Sequence, residues 1–155
     1  MALSKNISIK NRKARFNYEV IDRFTAGIVL KGTEIKSLRS GQASIAESFC
    51  EFSNGELFVI NMTIQEYSHA SHYNHQAKSA RKLLLQRREL NKLEKAVKNT
   101  GLTIVPLLLY INDSGLAKIE IALCRGKKLY DKRETLKDRD SQRDLGRIKK
   151  THNTR

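Results

Sequence analysis

A chain of 155 residues with 39% hydrophobic content is long enough for one domain with its own core, and the absence of Trp with only 6% aromatic residues makes that core aliphatic. Thirty Lys and Arg against 16 Asp and Glu give a formal charge of +14, which calls for a polyanionic partner: nucleic acid first, an anionic membrane surface second. No run of about 18 apolar residues offers a spanning helix, the start MALSKNISIK has no apolar signal-peptide core, and Cys50 and Cys124 lack CxxC spacing, so a reduced, cytoplasmic protein is expected.

The opening ISIKNRKARF is basic and polar and reads as loose chain. YEVIDRFTAGIVLKGTEIKSL reads as two strands, with AGIVLKG a short apolar run closed by glycines. QASIAESFCEF, after Gly41, reads as a short helix running into a strand. Asn54-Gly55 is a strong hairpin signal and makes 49–52 and 56–60 antiparallel neighbours. QEYSHASHYNHQAKSA is a polar loop. RKLLLQRRELNKLEKAVKN has helical texture, with Leu83, Leu90, Leu93 and Val97 on one stripe and Gly101 placed to end it. In LTIVPLLLYIN, Pro106 predicts an edge or bulged strand. Asp113-Ser114-Gly115 is a turn. LAKIEIALC alternates, with Ala117, Ile119, Ile121 and Leu123 on one face, as a half-buried antiparallel strand does. The expected fold is mainly β: a small antiparallel barrel with flanking helices over 1–130 and a basic tail over 131–155.

The tail has nine basic and five acidic residues, leaving +4, so the preceding 130 residues are themselves basic. Read as a helix, Arg139, Arg143, Arg147 and Lys150 form one cationic stripe, with Asp140 and Asp144 beside it. Leu145 and Ile148 make only a small apolar corner, too little to fold alone or to insert into a membrane. Such a tail is expected to be disordered by itself and to order on a polyanion.

Chemistry-bearing clusters are few. His69, His72 and His75 lie three apart, but the segment is not helical in pattern and no Glu or Cys stands at a ligand-like offset, so a polar loop is favoured over a metal site. No G-x-S-x-G, P-loop or H-E-x-x-H occurs, and no enzyme activity is expected. In GTEIKSLR, Glu34 sits among Lys31, Lys36 and Arg39; pairing with Lys36 across a strand face and orienting a cation toward RNA are both open to it. Arg81-Lys82 and Lys127-Lys128 after Gly126 are candidate phosphate contacts or solvated turns.

In this order NRKARFNYEV, AGIVLKGTEIKSLR, GELFVINMTIQEY, RKLLLQRREL, VPLLLYI and GKKLYDKRETLKDRD resemble the small protein B family, over roughly 11–150. The resemblance implies an oligonucleotide-binding-like (OB-like) β-barrel that binds the tRNA-like part of transfer-messenger RNA and accompanies it into ribosomes stalled on mRNA without a stop codon. It implies Glu34, Lys36, Arg39, Arg81, Lys82, Lys127 and Lys128 at the RNA surface, with Asn11, Arg12, Lys13 and Tyr18 as additions. Asp131, Lys132 and Arg133 match the start of the family's tail motif. Arg139, Arg143, Arg147, Ile148, Lys149 and Lys150 follow as contacts in the decoding centre and empty mRNA channel, where the tail becomes helical. Phe16 stands where the family commonly has His, and Ser79 where an Arg often precedes RKLLL. No cofactor or metal is implied, and nothing requires more than a monomer. The alternatives are a general ribosomal or structured-RNA binder and, from a different class, a metal-dependent hydrolase.

Overall fold

The computed structural model describes residues 7–70, 72–98 and 101–126; the tail over 131–155 and Lys127-Lys128 lie outside them. The basic opening, expected to be loose, instead forms strand β1 (Ser8–Lys10) and helix α1 (Arg12–Asn17). Asn11 ends the strand and starts the helix: its Oδ1 accepts from the Ala14 N–H at 3.1 Å, the bond that an Asn N-cap makes. Strand β2 (Tyr18–Ile28) follows, and then GTEIKSLR departs from the expected strand and forms helix α2 (Gly32–Arg39). The Glu34 carboxylate caps that helix by accepting from the Lys31 N–H at 3.0 Å, and Leu38 is fully buried beneath it.

The predicted short helix after Gly41 is a two-residue strand, β3 (Ala43–Ser44), and a turn, before β4 (Phe49–Ser53). β4 and β5 (Glu56–Ile60) form the predicted hairpin, with Ser53 opposite Glu56. Asn54 and Gly55 have φ of 51° and 76°, the left-handed pair that a two-residue turn needs. After β6 (Thr63–Ile64), RKLL is strand β7 (Arg81–Leu84), and helix α3 (Arg87–Val97) starts only after Gln86. Leu83 therefore belongs to the sheet and not to the helical stripe. It faces the core while Leu84 faces outward. Leu90 and Leu93 hold α3 against the core.

β8 (Leu102–Ile111) and β9 (Ala117–Gly126) complete the chain of strands. All pairings are antiparallel, in the order β1-β8-β4-β5-β7-β2-β9, and β8 also pairs with β9, so the pairings lead back to β8; β3 and β6 form a separate ribbon. The expected mainly β, antiparallel architecture with flanking helices is what the chain adopts. Pro106 sits at a bulge, as its lack of an N–H suggests, but in an interior strand with neighbours on both sides. β8 is apolar at consecutive positions because both of its faces are covered. Ile104 and Leu109 join the main core, whereas Val105 and Leu107 lie with Ala122 and Cys124 beneath Ala14 of α1.

Both cysteines are free and buried. Burial pushes the Cys124 thiol up to about 11 and raises that of Cys50 as well. Thiolate, the reactive species, is scarce at neutral pH on both counts. At about pH 8 the native protein is expected to resist iodoacetamide at both positions, and both should alkylate in concentrated guanidinium. Rapid labelling of either thiol in the native state, read by mass spectrometry, would contradict this packing.

Candidate nucleic-acid interface

Two of the expected RNA contacts are interior groups. Glu34 and Arg81 are each 3% exposed, and the guanidinium Nε donates to the Glu34 carboxylate. Arg81 Nη1 donates to the carbonyls of Met62 (2.8 Å) and Ser79 (3.2 Å), and Nη2 to those of Gln76 (3.3 Å) and Ala77 (3.1 Å). A guanidinium has five N–H donors, and all five are occupied. Arg81 thus has none left for a phosphate. Glu34, with one oxygen on Arg81 and the other on the Lys31 N–H, is neither paired with Lys36 nor turned toward solvent.

His75 belongs to the same interior. Its Nδ1 lies 2.9 Å from Thr33 Oγ1 and its Nε2 accompanies the Ile64 carbonyl at 2.9 Å. Both ring nitrogens are engaged, while His69 and His72 are exposed. Among the described residues no three His, Cys, Asp or Glu side chains gather as a metal site would require. Asn11 is also buried, its Nδ2 donating to the carbonyls of Ile45 (3.0 Å) and Pro106 (2.9 Å). It fastens α1 to the turn before β4 and to the bulge of β8.

The remaining candidates among the described residues are exposed or half-buried, and they divide. Lys36 and Arg39 occupy the last turn of α2. The Lys36 ammonium lies 5.4 Å from the centroid of the Tyr67 ring, within cation–π range. At the other end of β2, Arg12 and Lys13 are exposed on α1, and Lys13 meets the exposed Glu47 carboxylate. Tyr18 pairs with Gly126, so the chain leaves the described residues toward Lys127 beside this second group. β2 has 11 residues, which puts its ends about 30 Å apart at the usual rise per residue.

Lys82 stands at the α2 end of β2, on the outward face of β7, 3.4 Å from Glu56, which Arg87 also approaches at 3.6 Å. The same face exposes Val29 (50%) and Leu84 (53%), with Gly27 opposite Leu84 and the Val29 N–H donating to the Lys82 carbonyl. This apolar strip beside cations went unnoticed in the sequence. Had RKLL been read as a strand, alternation would have turned Leu84 outward.

Comparison with known proteins is consistent from end to end. Residues 8–151 match the family model described as SmpB protein. An SsrA-binding protein of Christiangramia forsetii is 67% identical over 150 residues, covering 97% of this chain and 96% of that protein. One of Flavobacterium psychrophilum is 63% identical, covering 94% and 97%, and one of Sinorhizobium medicae is 51% identical, covering 94% and 92%. A solved structure described as "tmRNA-SmpB: a journey to the center of the bacterial ribosome" superposes with a TM-score of 0.68 at 43% identity, covering 83% of this chain and 94% of that one.

Removing one partner of the buried pair leaves the other charge and several carbonyls unpaired. Arg81→Met is therefore expected to lower unfolding free energy by about 3–5 kcal/mol in urea titrations. Adding Glu34→Leu to Arg81→Met should recover part of that loss, because the stranded carboxylate is gone. A loss below about 1 kcal/mol for the single variant, typical of exposed pairs, would show that the pair is not structural.

Proposed function

The chain belongs to the SmpB protein family, and from that premise we propose that it binds the tRNA-like part of transfer-messenger RNA (the SsrA RNA) and carries it to stalled ribosomes for trans-translation. The observation that carries this reading is the match to SsrA-binding proteins along almost the whole chain, 97% of it in one case. The protein acts by binding rather than catalysis, in the cytoplasm. No helix among the described residues is long and apolar enough to cross a membrane.

The division of labour follows from where the charges lie. Lys36, Arg39 and Lys82 at one end of β2, and Arg12, Lys13, Tyr18, Lys127 and Lys128 at the other, supply phosphate contacts and an aromatic surface. Glu34, Arg81 and Asn11 serve the RNA surface from inside, by fixing the helices on which those cations stand. Solvent and salt screen pairs such as Lys13 with Glu47 and Lys82 with Glu56, so a phosphate displaces the carboxylate at little cost.

Residues 131–155 form the second working part. Asp131, Lys132 and Arg133 begin it, and Arg139, Arg143, Arg147, Ile148, Lys149 and Lys150 contact RNA in the decoding centre and vacant mRNA channel, where neutralisation of the arginine stripe favours a helix. The body holds the tRNA-like part of transfer-messenger RNA, and the tail reports that the channel is empty.

A salt titration of affinity for transfer-messenger RNA beside ordinary tRNA tests the first part. The preference for transfer-messenger RNA is expected to persist as salt rises, whereas convergence of the two curves would reduce the binding to charge alone. Deleting 131–155 should leave transfer-messenger RNA affinity within a few-fold of the full chain, allowing for lost phosphate contacts, and abolish tagging of stalled peptides in a reconstituted translation system. Loss of most RNA affinity on that deletion would refute the division between body and tail.

A further inference from the structure

An open groove of about 470 Å³ lies between the last turn of α2 and residues 65–69, bordered by Ser37, Ser40, Gln42, Glu66, Tyr67 and His69. That volume falls within the span of small-molecule clefts, roughly 300–1,000 Å³. Tyr67 and His69 meet edge-to-face with ring centroids 5.5 Å apart. A loop residue with its backbone free would be a poor platform, but Tyr67 is clamped. Its N–H donates to Asn74 Oδ1 at 3.2 Å and its carbonyl accepts from Asn74 Nδ2 at 3.0 Å. The Gln65 N–H donates to the Gln42 carbonyl at 2.8 Å, closing the other side of the groove.

We propose that this groove holds one unpaired nucleobase of the bound RNA, stacked on Tyr67, with Lys36 and Arg39 on its flanking phosphates. The site presupposes that the chain binds RNA as set out above, and it adds a specific base contact to that reading. Three features favour a base over a bare phosphate. The groove offers a held aromatic ring, which a phosphate does not use and a base of any identity does. Its rim carries hydroxyls and an amide, which meet donors and acceptors on a base edge, and the Glu66 carboxylate, which repels a phosphate. The two cations stand at one side, on α2, where a backbone passing the groove would meet them. Lys36 meets the Tyr67 ring and forms no ion pair among the described residues, so it can turn to a phosphate when a base arrives.

Stacking and charge separate in a salt series. For the full chain binding transfer-messenger RNA, Tyr67→Leu is expected to weaken affinity about 10-fold at every salt concentration with the slope of log K against log salt unchanged. Tyr67→Phe, which keeps the ring, should stay within about 2-fold, and Lys36→Ala should reduce the slope by about 1. Wild-type affinity for Tyr67→Leu, or a loss that comes with a reduced slope, overturns the stacking site while leaving RNA binding in place. Absence of RNA binding by the unmutated chain overturns both readings together. Should Tyr67→Leu fail to fold, the unmutated protein with ring-labelled tyrosine decides: ring-current shifts of the Tyr67 resonances on adding the RNA support the site, and unmoved resonances exclude it.

Discussion

The ion pair between Glu34 and Arg81 determines what the surface around it can do. Taking a carboxylate and a guanidinium out of water is costly, and a buried pair is stable only when its remaining lone pairs and protons are satisfied. Here the satisfaction comes from backbone. Among the described residues, 65–80 have little sheet pairing of their own beyond a bridge from Thr63 to Lys78. The guanidinium collects the carbonyls of Met62, Gln76, Ala77 and Ser79, much as a neighbouring strand would. One side chain thus folds a loop, and its counter-ion caps the helix that carries Lys36 and Arg39. An apolar pair of equal volume would fill the space but withdraw a donor from each of those carbonyls.

The charged groups of the described residues correspondingly divide into an interior and an exterior share. Interior charge is fully coordinated and fixes geometry. Exterior charge is held loosely: the Lys82 and Arg87 ammonium and guanidinium groups share one Glu56, and Lys92 reaches Asp22 at 3.0 Å, holding that carboxyl below its ordinary pKa range through the hydrogen bond. Pairs of this kind keep long side chains near the surface without committing them. That combination suits a polyanion binder, since long-range attraction persists while each local partner is replaceable.

Where structure was decided locally, the sequence was legible. Asn54-Gly55 determines its hairpin through two left-handed residues, and β9 alternates because one face meets the core. GTEIKSLR was not legible as a helix, because the residue that caps it is held by Arg81, 47 positions away. RKLL looks helical beside RREL, yet Lys82 pairs with Phe58 and Leu83 with Ile28, contacts that no local period reveals. The N-terminal helix did leave a signal, an Asn directly before RKARFN, which is an N-cap pattern overlooked among the charges. For the site, the motifs gave positions along the chain but not depth. Glu34, Arg81 and Asn11 stand in basic runs and are nonetheless interior, since a run of charge does not say which member pairs inward.

The two surface groups cannot serve the same few nucleotides. They stand at opposite ends of β2, and that strand is held by β9 along nearly its whole length, with one irregularity between Val20 and Asp22. A strand so paired acts as a spacer of nearly fixed length. A ligand that engages both ends must be about 30 Å or more across, or must be two RNA surfaces facing each other. Rigidity here has a specific use: the distance between the contacts is set by sheet hydrogen bonds and is independent of the salt that tunes the contacts themselves.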